Sequence, residues 1–118
     1  MHKYLPQFYH FIDNLNIKNI QSLDSKFALI YRNYKKEPSK KEILEFKSYC
    51  KLNKRIFLLS NYHKLVLKYN LDGLYIPSFN KKKLYLNIKK KKFIILGSAH
   101  NLKEIRIKEM QNVQLIIY

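Results

Sequence analysis

Six apolar runs punctuate the chain: QFYHFID, KFALIYR, RIFLLSN, LDGLYIP, FIILGS and VQLIIY. Each of the first five is followed by a polar or amphipathic segment long enough for a helix. The pattern therefore predicts six strands alternating with five helices. Phe93 to Leu96 is apolar at every position, as in a parallel strand covered on both faces, whereas a half-exposed strand would alternate. The clearest helix follows Pro38. There Ser39 and Glu42 have capping-box spacing, and Ile43, Phe46 and Cys50 fall on one face. A shorter helix is predicted between Tyr62 and Asn70. A weak one around Leu84, Tyr85, Leu86 and Ile88 would carry the lysine runs 81–83 and 89–92 on a solvated outer face.

Right-handed crossovers turn such a series into either an open doubly wound sheet or an arc of a (β/α)8 barrel. Six strands are too few to close the barrel. The last run, with Val113, Leu115, Ile116 and Ile117, would be an exposed, pairing-prone edge. The expectation is an incomplete barrel whose remaining strands lie beyond Tyr118. No Pro-rich or Gly/Ser-rich linker and no shift in composition divides the chain, so residues 1–118 read as one domain.

The segment Phe93 to Asn101, FIILGSAHN, concentrates the candidate chemistry. Gly97 is expected to let the backbone turn. Asn101, three residues before Glu104, reads as an N-cap with its capping-box partner. A helix starting there would turn its free amides and positive dipole end toward Ser98, His100 and Asn101, making an anion seat. Parallel strands deliver functional side chains at their carboxyl ends, so the other candidates follow by position. They are Arg32 after the second strand, Ser60 and Asn61 after the third, and Ser78 and Asn80 after the fourth. An Arg, several hydroxyls and amides, and a His titrating near neutrality suit a phosphorylated small molecule.

Composition narrows the function further. The chain has 118 residues, 47% of them hydrophobic, enough for a globular core. Its single cysteine, Cys50, excludes an internal disulfide and fits a reducing cytoplasm. No run approaches the length of a membrane span, and the start MHKYLPQFYHFID lacks the apolar core of a signal peptide. A net charge of +16 invites a nucleic-acid partner. Only Arg32, Arg55 and Arg106 are arginines, however, and lysine accompanies abundant Ile, Asn and Tyr, so codon bias accounts for the charge and nucleic acid is disfavoured. Asp and Glu total 8, with no pair converging on the strand ends. Walker, GxGxxG, GxSxG and zinc-ligand spacings are absent, so no cofactor or metal is expected from the residues themselves.

From about Phe27 to Tyr118 the chain resembles the thiamine-phosphate synthases and the related TenI-type thiazole tautomerases, which are (β/α)8 barrels. The family reads aromatic or Gln, hydrophobic, then Arg at the second strand end, where this chain has Leu29 to Arg32. Asn-Asp follows the third strand, where Ser60 and Asn61 stand here, and a Gly- and Gln-bearing fourth strand matches Asp72 to Pro77 by type and spacing. Gly-x-Ser-x-His on the fifth corresponds to Leu96 to His100, and the Ser-Ala-His-Asn tetrad at 98–101 is the strongest match.

The resemblance implies condensation of hydroxymethylpyrimidine pyrophosphate with a thiazole phosphate. Arg32 and Ser98 would face the pyrophosphate, with Asn61 and Asn101 as further substrate contacts. His100 would be the acid/base that moves a proton on the thiazole in the tautomerases. Mg²⁺ is expected for the family, but its carboxylate positions are Ser60, Asn61 and Pro77 to Asn80 here, and the family Lys beyond the Arg is Tyr34. Metal-free proton transfer by His100 is thus favoured over metal-assisted displacement. The other readings are a noncatalytic phosphate-ligand binder or regulator on the same scaffold and a small basic nucleic-acid-binding protein. No membrane partner is expected, and self-association into a homo-oligomer stays open.

Overall fold

A computed structural model describes residues 5–84, 86 and 92–118. Its six strands are β1 (Phe8–Ile12), β2 (Phe27–Tyr31), β3 (Phe57–Ser60), β4 (Gly73–Ile76), β5 (Ile94–Ser98) and β6 (Leu115–Ile117). The α-helices are α1 (Lys40–Leu52), α2 (His63–Lys68) and α3 (Leu102–Met110). Every strand pairs in parallel with its sequence neighbour, in the spatial order β1-β2-β3-β4-β5-β6. A doubly wound sheet reverses its strand order at a switch point, so this unbroken order excludes that alternative.

The central strands are apolar throughout because both faces are covered, and the covers differ. Leu29, Tyr31, Phe57, Leu59, Leu74, Ile76 and Ile95 pack outward on Ile43, Phe46 and Cys50 of α1 and Val66 of α2. Ala28, Ile30, Leu58, Tyr75, Ile94 and Leu96 form a second cluster with Tyr9, Phe11, Ile56 and Ile117, and no helix among the described residues contributes to it. The second face is covered by the sheet's own curvature. In a flat sheet β1 and β4 would lie about 14 Å apart, three strand spacings. The ring centroids of Phe11 on β1 and Tyr75 on β4 are nevertheless 5.3 Å apart, edge to face. The sheet is therefore a curled half-barrel with its helices outside and a side-chain-filled interior.

Local chemistry explains each connection. At α1, Ser39 Oγ accepts the Glu42 N–H at 3.1 Å and the Glu42 carboxylate accepts the Ser39 N–H at 3.1 Å, the full capping box the spacing predicts. The expected helix between β1 and β2 is instead a single 3₁₀ turn, Ile17–Asn19. Asn14 accepts the Asn16 N–H, Asn16 accepts the Lys18 N–H, and Asn19 donates back to Asn14. These side-chain bonds offer the backbone an alternative to the helical ladder. The weak helix expected around Leu84 to Ile88 falls largely outside the described residues. Among the described residues there are three α-helices, and of the five expected the one between β1 and β2 is replaced by the 3₁₀ turn.

Both glycines answer to close packing rather than to turns, since neither has a positive φ. A Cβ on Gly73 would meet the Ile94 carbonyl oxygen at 2.1 Å. A Cβ on Gly97 would meet Cδ of Lys108 at 2.7 Å, which corrects the expectation of a backbone turn there. No helix among the described residues is long and apolar enough to cross a membrane.

Candidate functional site

Strand alternation decides which side chains reach the interior at the carboxyl ends. Ile30, Tyr75 and Leu96 point inward, and two residues beyond Ile30 and Leu96 come Arg32 and Ser98, on the same side. Phe11 on β1 and Ile117 on β6 face the same space. The result is a cleft of about 460 Å³ lined by Phe11, Arg32, Tyr34, Tyr75, Ser78, Phe79, Ser98, His100, Ile117 and Tyr118, among others. Among the described residues no Asp or Glu side chain lines it.

Arg32 is exposed, and its guanidinium carbon lies 4.0 Å from the centroid of the Phe11 ring, so the charge rests on an aromatic face. Among the described residues it has no acidic partner. A stacked, unpaired guanidinium keeps its planar donor fork free for an incoming oxyanion.

Ser98 is half-buried, and its Oγ accepts the Ser78 N–H at 3.0 Å, which ties the loop after β4 to β5. Burial pushes the Tyr75 phenol up, and its hydrogen bond with Ser98 and the Arg32 charge offset that in part. Tyr75 therefore stays a neutral hydroxyl across the neutral range. Tyr34 and Phe79 meet edge to face, ring centroids 5.0 Å apart, at the rim, with the Tyr34 hydroxyl 2.6 Å from Ser60 Oγ. The cleft thus joins one cationic fork to several flat apolar surfaces.

His100 stands at the rim with its side chain 71% exposed, and Glu104 holds it. One carboxylate oxygen accepts the His100 backbone N–H at 2.7 Å and lies 3.2 Å from ring Nδ1. The backbone bond is the chief reason that the Glu104 carboxyl sits below its ordinary value. An ionised carboxylate only accepts, so Nδ1 carries the proton and Nε2 is left free to exchange one. The expected capping box at α3 is accordingly half made. Asn101 Oδ1 accepts the Glu104 N–H at 2.9 Å, but Glu104 returns to residue 100 instead of to Asn101.

Of the eight candidates read from the sequence, the cleft brings Arg32, Ser78, Ser98 and His100 together. Asn61 and Asn101 lie outside its lining. Asn101 is engaged as the N-cap. Asn61 has a positive φ of 62°, donates its backbone N–H to the Tyr75 carbonyl and accepts Asn80 Nδ2 at 3.0 Å. From its other side the same loop is held by α3. Lys108, fully buried, donates from Nζ to the Asn80 carbonyl at 2.9 Å and to Gln111 Oε1 at 2.8 Å. Gln111 Nε2 donates to the carbonyls of Asn80 and Lys82. Asn61, Lys108 and Gln111 therefore position the loop that carries Ser78 and Phe79 to the cleft.

Sequence reasoning overlooked Glu104 as the partner of His100, although their i,i+4 spacing on a helix start was a usable signal. It also overlooked Lys108, which sits in a helix whose apolar residues, Leu102, Ile105, Ile107 and Met110, mark no single face.

The donors at the mouth do not fit Mg²⁺. Ser60 is taken by Tyr34, Asn61 by Asn80, and no group of three His, Cys, Asp or Glu side chains converges among the described residues. Compared with known protein families and with curated proteins, the chain matches none.

Proposed function

We propose that the cleft binds a phosphorylated small molecule with a flat ring, on a scaffold like that of the thiamine-phosphate synthases and thiazole tautomerases. The observation that carries this reading is the Arg32 guanidinium, stacked on Phe11 with no acidic partner among the described residues, in a cleft lined by no Asp or Glu side chain and shared with Ser98 and His100. In this reading Arg32 takes the phosphate oxygens, with the Tyr75 and Ser98 hydroxyls as neutral donors beside it. The rings of Phe11, Tyr34, Tyr75 and Phe79 take the planar part of the ligand.

His100 supplies the one acid/base group. With Nδ1–H donated to Glu104, Nε2 is the atom that would take a proton from a bound ring and return it. Proton transfer suits this residue set better than displacement of pyrophosphate, because among the described residues no Asp or Glu side chain lines the mouth to hold a divalent metal. The 71% exposure of the His100 side chain equally favours a noncatalytic ligand binder on the same scaffold.

One pair of measurements separates the two. Calorimetry with thiazole phosphate carboxylate and with hydroxymethylpyrimidine pyrophosphate, with and without Mg²⁺, reports binding. Solvent deuterium incorporation into the bound thiazole reports proton transfer. Binding with exchange that His100→Gln abolishes supports the catalytic form. Binding without exchange leaves the binder, and absence of binding to either ligand overturns both.

A further inference from the structure

At the opposite, amino-terminal end of the strands lies a second cavity, of about 360 Å³, between the last turns of α1, the start of β3 and the segment before β4. Its lining includes Lys47, Lys51, Lys54 and Arg55 against one carboxylate, Asp72. We propose that this cavity is a second anion site, taking a small multiply charged oxyanion such as phosphate. This cavity shares no lining residue with the cleft at the carboxyl ends.

Arg55 makes this more than a patch of surface lysines. It is 5% exposed, and two of its nitrogens hold backbone carbonyls: Nη1 donates to Asp24 at 3.0 Å and Nη2 to Leu23 at 2.6 Å. Its Nε is buried with no hydrogen-bond partner. A buried N–H on a charged group is costly to leave unpaired, and Arg55 is one of the residues that line the cavity.

The neighbouring groups divide between the engaged and the free. Lys47 Nζ is spent on the Tyr69 carbonyl at 2.8 Å, and Asp72 Oδ2 accepts the Phe57 N–H at 2.9 Å. Lys51 and Lys54 are exposed and have no acidic partner among the described residues. The negative end of the α1 dipole accounts for cations near this helix terminus. It does not satisfy Arg55 Nε, because the last turn of α1 is already capped by backbone N–H groups, including that of Arg55 onto the Cys50 carbonyl at 2.7 Å. Cys50, whose thiol burial pushes up to about 12, contributes no nucleophile to the cavity. Two exposed ammonium groups and one fixed, partly unsatisfied guanidinium on one cavity lining form a set that recognises oxyanion charge rather than a particular molecule.

The arginine Nε–H group gives its own resonance in a ¹⁵N-correlated proton spectrum, so the group that carries the argument can be observed directly. The full chain, ¹⁵N-labelled, is titrated with inorganic phosphate at constant ionic strength maintained with chloride. The site predicts a saturable shift of the Arg55 Nε–H resonance together with the Lys54 and Asn70 amides. Lys51→Ala combined with Lys54→Ala, both exposed positions, should weaken that phosphate response roughly fivefold, as expected for two solvent-exposed charge contacts. Arg32→Ala should leave it unchanged. An Arg55 Nε–H that does not move, which is the result if water alone occupies the cavity, overturns the proposal. So does a shift that never saturates, or one that the double variant leaves intact.

Discussion

Gly97 shows how one absent side chain organises the floor of the cleft's neighbourhood. The Lys108 stem crosses β5 where a Cβ would stand 2.7 Å from Cδ, and Val113 Cγ2 would lie 3.1 Å away. Gly97→Ala must therefore push aside a buried cation that holds the loop after β4. A loss of about 1–3 kcal/mol is expected in urea unfolding, the usual range for overpacking. An unchanged midpoint would show that Lys108 can shift freely. This relation was not readable from the chain, because the apolar residues of α3 mark no single face and so do not show that Lys108 is buried.

The His100–Glu104 pair gives a second residue-level prediction. The Glu104 carboxyl is held below its ordinary value chiefly by the His100 N–H. The unfolded chain then takes up the proton first as pH falls, so the stability from this contact is complete above the ordinary carboxyl range and lost on acidification. The difference in urea midpoint between the wild type and Glu104→Gln should be present near neutrality and shrink as pH falls from about 6 to about 3. A difference independent of pH would assign the effect to something other than this carboxylate.

At the scale of elements, the capping box and the asparagine turns show what short-range rules do and do not capture. Ser39 and Glu42 satisfy each other at α1 as their spacing implies. Ser39→Ala should accordingly cost about 1 kcal/mol, measured by chemical denaturation, whereas a surface substitution such as Lys41→Ala should be nearly neutral. Between β1 and β2 the polar segment was long enough for a helix, yet Asn14, Asn16 and Asn19 bond to one another and to local backbone amides, leaving one 3₁₀ turn. Length and polarity predict a connection; residue chemistry decides its form. The strands were more readable, because six apolar runs, the first five each followed by a segment long enough for a crossover, read as parallel strands whichever way the sheet is wound. The inward placement of Arg32 and Ser98 also follows from period-two alternation. Asn61 and Asn101 were harder to assign, because an Asn at a strand end or helix start serves caps and turns as readily as ligands.

At the scale of the whole molecule, curvature turns the strand order into a site. The sheet brings Phe11 from one edge and Ile117 from the other to a single cleft, although they lie on the first and last strands. The net charge of +16 acts over the same scale. It raises the local concentration of any anionic ligand and makes its binding depend on salt, without specifying where it docks. Specificity must come from the cleft itself, from one guanidinium on an aromatic face and the rings around it.

The central claim is that Arg32 is the phosphate contact of this cleft, and isothermal titration of hydroxymethylpyrimidine pyrophosphate into the wild type and Arg32→Ala, at fixed ionic strength, tests it most directly. The predicted result is saturable binding by the wild type that weakens roughly tenfold or more in the variant, the loss of a charge-assisted bidentate contact. Equal affinity for the two proteins, with the variant folded, would contradict it.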